Sequence, residues 1–292
     1  MSATYRVQHR TEFSYATDVS LSQQLLRLTP RNTERQTLLA DTILVEPSPV
    51  VRRSTRDWYG NETSFVSVQE PHRHLIVQAS SSIQVDDPQW PLDAADSWES
   101  VIQAVQYPDS GDAVRAASFC FPSPYVDVVP GVRQITEQWF TPGRPFLDAT
   151  MALTRYIFEH FEYRGGVTDV WTPVSTVLEN RQGVCQDFAH LQIACLRSLG
   201  LPARYISGYL LTRPPPGKER LVGADESHAW LGVWLPSFGW VEFDPTNGLM
   251  PGNEHIVLGW GRDYGDVSPI NGFIIGGGEH KIEVSVDVAP VG

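Results

Sequence analysis

Apolar and polar residues alternate with a period of two over much of the first third of the chain. Tyr5 to Tyr15 alternates, Thr42 to Val45 is β-branched and apolar, and Thr63 to Val68 and Leu75 to Val85 follow turn signals at Gly60-Asn61 and Pro71-His72. Such alternation reads as half-buried strand, so residues 1–90 are expected to form a small β-sandwich domain. Asp86 to Ser100, with Pro88, Pro91 and several aspartates, interrupts the pattern, and residues 91–129 read as a linker and surface crossing. Beyond it the period changes to that of a helix. One helix is expected from Pro130-Gly131 to about Phe140, and another from Pro145 to Phe161 that buries Leu147, Met151, Thr154, Phe158 and Phe161. Thr172-Pro173 can open a short helix ending near Gly183. An apolar helix follows, stopped by Gly200 and Pro202. Strands at Ala203 to Leu211, His228 to Leu235 and Trp240 to Asp244 form an antiparallel sheet, with the proline-rich stretch Arg213 to Arg220 as a connector. Lys281 to Ala289 alternates as a last strand after the Gly276-Gly277-Gly278 turn. The chain therefore reads as α+β, with helices packed on an antiparallel sheet in a core of residues 130–292 that includes the C-terminal strands.

Charge and cysteine count narrow the function classes. Lysine and arginine total 22 against 34 aspartates and glutamates, a formal net charge of −12 in 292 residues. That acidity argues against nucleic acid or an anionic membrane as partner and leans towards neutral or basic peptides. No apolar run reaches membrane-spanning length, and the start Met1-Ser-Ala-Thr has no signal-peptide core. Three cysteines, one of them wanted as a free thiol, fit a reducing compartment, so the expected location is the cytoplasm. The cysteines are far apart and His72/His74 lacks companions, so no metal or cofactor is expected.

One constellation carries chemistry. Arg181-Gln-Gly-Val-Cys185-Gln-Asp places a thiol after a glycine turn and at the start of a helix, where unpaired amide N–H groups and the helix dipole favour a thiolate. His228 opens a strand in Glu226-Ser-His-Ala-Trp, and Asp244 ends another in Trp240-Val-Glu-Phe-Asp-Pro-Thr246. If Trp234 pairs with Trp240 across the turn, His228 faces Thr246 and lies diagonal to Asp244. The carboxylate can then orient the imidazole as general base. Cys195, mid-helix among apolar residues, and Cys120, between Phe119 and Phe121, read as packing. His190 reads as structural.

These residues resemble the transglutaminase-like superfamily between about Phe146 and Asn247, through Gly183-Val-Cys-Gln-Asp-Phe-Ala189, Leu199-Gly-Leu-Pro-Ala-Arg-Tyr-Ile-Ser-Gly-Tyr209, His228-Ala-Trp230 and Trp240 to Thr246. More narrowly they resemble its bacterial group with an all-β N-terminal region, which includes transglutaminase-like enzymes and proteins assigned as cysteine proteases; Gly261-Arg-Asp-Tyr-Gly-Asp-Val-Ser-Pro-Ile270 matches that group's C-terminal pattern. The resemblance implies a papain-like core with Cys185, His228 and Asp244 as the catalytic triad and a thioester acyl-enzyme on a peptide or protein substrate. The backbone N–H of Cys185 is the natural first oxyanion donor, with Tyr163 or Trp171 as the second. Gln186 and Trp230 are candidates for substrate binding. Animal cross-linking members carry Trp directly after the nucleophile and extra β-domains, whereas this chain has Gln186 and lacks the length for them; hydrolysis by a peptidase or amidase is therefore expected ahead of amine cross-linking. A protein-glutamine transglutaminase, another cysteine acyltransferase such as an arylamine N-acetyltransferase, and a non-catalytic protein-binding module remain alternatives. The N-terminal β-domain is a candidate docking surface for a protein partner.

Overall fold

The computed structural model describes residues 2–212 and 227–291; the Arg213 to Arg220 connector lies outside the described residues. Five strands come first: β1 (Ser2–Leu26), β2 (Gln36–Glu46), β3 (Val51–Arg56), β4 (Glu62–Val68) and β5 (His72–Asp86). Helices α1 (Trp98–Gln106), α2 (Gly111–Ala117), α3 (Val132–Glu137) and α4 (Phe146–His160) follow, then β6 (Glu162–Tyr163), α5 (Val174–Asn180), β7 (Gln182–Gly183) and α6 (Cys185–Ser198). The chain continues through β8 (Ala203–Leu210), β9 (Ser227–Leu235), β10 (Gly239–Phe243), β11 (His255–Gly261), α7 (Tyr264–Val267), β12 (Ile270–Gly276) and β13 (His280–Val291).

Strand β1 organises the N-terminal half. Its first part pairs with β5 on one side and β13 on the other, and its last residues pair with β4 and β12. The register shifts between Ser14 and Val19, where the ladder to β5 is interrupted. Residues from both parts, among them Val19, Leu26, Val66, Leu75 and Val77, meet in one core. The expected sandwich is therefore a single seven-stranded hydrogen-bonded sheet. Two of its strands, β12 and β13, were grouped with the catalytic core in the sequence reading but belong to this sheet by hydrogen bonding. Alternation marks a strand and its buried face without naming the edge it joins.

The stretch 91–129, expected as a linker, instead carries α1 and α2. Ser97 and Ser110 cap them by accepting from the N–H groups of Ser100 and Ala113, as short hydroxyl side chains do at helix starts. Val101, Val105 and Ala116 are buried. In α4 the buried stripe runs through Phe146, Ala149, Thr150, Leu153, Thr154 and Ile157; Phe158, expected inside, is half exposed and lies against Gly248.

The second sheet has the order β10-β9-β8-β11 and is antiparallel throughout. Helix α6 is buried along almost its whole length between β8 and β9 on one side and α3, α4 and α5 on the other. Its Arg197 guanidinium, deep in the protein, donates to the carbonyls of Phe119, Ala203 and Arg262. Tyr5, Val7, Ile83 and Val286 of the large sheet pack on Tyr209, Ile256 and Leu258 of the small one. Exposing one such side chain would cost about 1.5–3 kcal/mol, so the two sheets are held by a shared apolar interface.

Candidate active site

Local interactions build the nucleophile turn. Helix α5 ends at Arg181, whose left-handed φ of 51° turns the chain. A non-glycine residue there costs about 1–2 kcal/mol. The turn is pinned in return by the short parallel pairing of β6 with β7, through Glu162 N–H to the Arg181 carbonyl and Arg164 N–H to the Gly183 carbonyl. Gly183 is required by packing, since an added Cβ would lie 2.8 Å from the Asp187 side chain. Asp187 accepts from the Val184 N–H at 2.8 Å and the Thr168 hydroxyl at 2.7 Å. Burial outweighs these bonds and holds its carboxyl above the usual range. Cys185 is thereby set as the first residue of α6, half-buried, and close enough to His228 for its charge to raise that ring's pKa.

The surroundings of His228 assemble from three strands. The hairpin register is as expected, with Trp234 opposite Trp240, and the ladder ends at Leu231 and Phe243. Asp244 then enters a turn, bridged to Leu249, so Thr246 never comes opposite His228. Asp244 still reaches the ring: His228 Nε2 lies 2.7 Å from its Oδ2, which leaves Nδ1 for the sulfur. The same Oδ2 accepts from His255 Nε2 at 3.0 Å and Asn247 Nδ2 at 2.7 Å, while Oδ1 accepts the Thr246 and Asn247 N–H groups. Burial alone would lower the His228 pKa, but bonding and charge from Asp244 and Cys185 raise it to about 10. Burial alone would raise Asp244; bonds from His228 and His255 hold it well below the usual carboxylate range. The imidazolium form of His228 is thus stabilised between a sulfur and a carboxylate.

A further set of residues supports that ring from behind. Trp230, expected to bind substrate, has 0% exposure and offers a substrate nothing. It stacks beside His228 at 5.8 Å, and its indole N–H donates to Glu242 at 2.9 Å. Glu242 also accepts from Arg35 of the N-terminal half at 2.5 Å. Gly208, opposite His228 in the ladder, leaves room for the indole; a Cβ there would lie 2.5 Å from it.

The remaining candidates separate. Tyr163 lies on β6 beside Gly183, half exposed, its ring edge-on to Phe188. Trp171 is 72% exposed and stacks on Tyr125 at 5.1 Å. The side-chain amide of Gln186 donates to the Val170 carbonyl at 3.2 Å, tying that loop to the turn. His190 accepts the Tyr264 N–H, and burial lowers its pKa to about 3. Burial pushes the Cys120 and Cys195 thiols up to about 12.

His255 was missed, although its place at the head of the apolar run His255-Ile-Val-Leu258 marks it as a strand-borne histidine. Among the described residues, His228, Asp244 and His255 bring ligand-type atoms within 4.8 Å of one another, a set that could hold a metal ion and that the expectation of no metal site overlooked. Those atoms already satisfy one another as donors and acceptor, an arrangement suited to holding protons.

Comparison with known proteins agrees with this layout. The Bacterial transglutaminase-like N-terminal region matches residues 5–84, and the Transglutaminase-like superfamily matches residues 133–245. An uncharacterized protein of Mycobacterium tuberculosis (strain ATCC 25618 / H37Rv) is 42% identical over 295 residues, spanning 98% of this chain and 92% of that one. A protein-glutamine gamma-glutamyltransferase of Pseudomonas aeruginosa is 36% identical over 76 residues, which span 26% of this chain and 11% of that enzyme. A solved structure from Cytophaga hutchinsonii, named "Putative Cysteine Protease", shares the fold at TM-score 0.79 and 21% identity, covering 100% of this chain and 92% of that one.

Proposed function

The chain belongs to the transglutaminase-like superfamily, and from that membership we propose that it is a cysteine-nucleophile acyl-transfer enzyme acting on peptide or carboxamide bonds, with hydrolysis ahead of amine cross-linking. The observation that carries this is the buried His228–Asp244 pair, 2.7 Å from ring to carboxylate, with Cys185 at the start of α6 close enough for its charge to act on that ring. In the first step the thiolate attacks the carbonyl carbon and the oxyanion is met by the Cys185 N–H, with Tyr163 and Trp171 as the side-chain candidates for the second donor. As the C–N bond breaks, imidazolium His228 gives its Nδ1 proton to the leaving nitrogen, and a thioester remains. Neutral His228 next takes a proton from the acceptor, whose attack frees the thiol.

The acceptor separates two readings. Water gives a peptidase or amidase, and Gln186, committed to Val170, stands where cross-linking relatives carry Trp. An amine gives a transglutaminase, the reading favoured by the partial match to the Pseudomonas enzyme. Three free cysteines suit the cytoplasmic location we assign; no helix among the described residues is long and apolar enough to cross a membrane. Incubation with glutamine-containing peptide libraries and a primary amine, read by mass spectrometry against Cys185→Ala, tests the proposal. Cleavage or loss of ammonia in the active form alone is expected; predominant amine-linked products would reverse the preferred acceptor, and no product would remove the enzyme reading.

A further inference from the structure

A cavity of about 410 Å³ opens where the two halves of the protein meet. Its walls come from β1, from β12 and the start of β13, and from the core around Tyr125, Trp171 and the start of α7 at Tyr264. Rings dominate it: Phe13 and Tyr15 from the large sheet, Phe273 from β12, and Tyr125, Trp171 and Tyr264 from the core. Among the described residues the polar lining is neutral, with Gln24, Ser268 and Asn271; His280 is the one imidazole, and no lysine, arginine, aspartate or glutamate lines it. Trp171 at 72% and Phe273 at 55% leave large aromatic faces in water. Two connections tie the cavity to the nucleophile. Gln186, next to Cys185, holds the carbonyl of Val170, itself a wall residue. His190, on the helix that Cys185 opens, accepts the Tyr264 N–H and lies with its ring 6.1 Å from that of Tyr125, and both tyrosines are wall residues.

We propose that this cavity is a substrate side-chain subsite, built jointly by the N-terminal sheet and the core, for an uncharged aromatic or branched aliphatic residue flanking the reactive carbonyl of a peptide. The proposal rests on the acyl-transfer reading above. The chemistry selects that occupant: a ring or branched side chain exchanges water for aromatic walls, whereas an ammonium or carboxylate would lose hydration and find no countercharge among the described lining residues. A volume of about 410 Å³ falls within the roughly 300–1,000 Å³ of small-molecule sites and accommodates one bulky side chain with its adjoining backbone. The N-terminal sheet acquires a function by this assignment, because Phe13, Tyr15 and Phe273 stand on its strands.

The test uses the full chain carrying Cys185→Ala, titrated with blocked dipeptide amides in which phenylalanine stands on either side of glutamine. The comparison peptides carry alanine, lysine or glutamate in its place. Tryptophan fluorescence and calorimetry report binding. Phenylalanine is expected to bind at least about tenfold more tightly than alanine in one of the two positions, with lysine and glutamate no better than alanine. Trp171→Ala and, from the other half, Phe273→Ala should each shrink that preference several-fold; both side chains are exposed, and an unchanged melting temperature certifies the fold. Equal binding of phenylalanine and alanine in both positions, or a preference that survives both substitutions, overturns the subsite. Alkylation of the unsubstituted protein keeps the two ideas apart. Rapid labelling of Cys185 without side-chain preference leaves the nucleophile and removes the subsite; preference with a sluggish Cys185 does the reverse.

Discussion

Cys185 and Cys195 stand ten residues apart on one helix and have opposite surroundings. The first lies at the open end of α6, half-buried, beside unpaired amides and the ring of His228. The second is fully buried in apolar packing, which drives its thiol up to about 12. A shared residue type on a shared helix thus yields one candidate nucleophile and one inert packing group. Reactivity is set by position along the helix and by what the neighbouring sheet presents, not by the presence of sulfur.

The largest effect should come from exchanging the two thiols' fates. Cys185→Ala is expected to abolish thioester formation, whereas Cys195→Ala keeps the chemistry and lowers stability by about 1 kcal/mol. Iodoacetamide mapping on the native protein should find Cys185 labelled first; faster labelling at Cys195 would break the contrast.

Next comes the carboxylate that separates the two environments. Asp244→Asn should cost roughly 10⁴-fold in acyl transfer, as expected where an orienting carboxylate is lost. The pH profile sharpens the point. In the unsubstituted protein the acylation rate should hold through neutrality and fall as pH rises through about 10, where His228 loses its proton; in Asp244→Asn that limb should move to lower pH. Stability follows the same signs. The raised His228 contributes fully below its unfolded value of about 6.5 and loses its contribution as pH climbs through about 10. Asp244, depressed in the fold, contributes above its unfolded value of about 3.9 and loses that as pH falls through its lower folded value. Denaturant midpoints measured across pH should trace both edges.

His255→Gln removes one bond to a charged carboxylate, worth about 1.5–3 kcal/mol. Roughly a tenfold or greater fall in transfer is expected, together with a lower denaturant midpoint; a lower midpoint with the rate unchanged would make His255 a packing residue only. The smallest change is at the turn. Asp187→Ala leaves the Val184 N–H without its acceptor and should lower stability by about 1 kcal/mol. It should also slow Cys185 labelling severalfold, because the sulfur loses its fixed place; equal labelling would show that the turn is held by the β6–β7 pairing alone.

How legible each part was follows from how far its interactions reach. The Val184–Asp187 bond and the helix that Cys185 opens involve partners within a few residues, so Gly183-Val-Cys-Gln-Asp187 carried that part of the geometry openly, whereas the pairing of β6 with β7 that pins the turn was not visible in it. The β9–β10 hairpin was legible for the same reason, since a short turn leaves little choice of register between Trp234 and Trp240. Trp230 was misread because the motif His-Ala-Trp records neighbours in sequence, while burial against Glu242, Ile206 and Val257 arises from strands elsewhere.

From residue order alone came many of the strands, though not β3, β11 or β12, the helix that Cys185 opens, and the three side chains proposed as a catalytic row. Folding in three dimensions added the sharing of Asp244 between two imidazoles, the return of β12 and β13 to β1, and the aromatic cavity where the halves meet. The physical reason is that a helix terminus finds its hydrogen-bond partners within about four residues along the chain. A sheet edge offers the same backbone groups to every strand, and its partner is selected by which side chains bury together across the whole molecule.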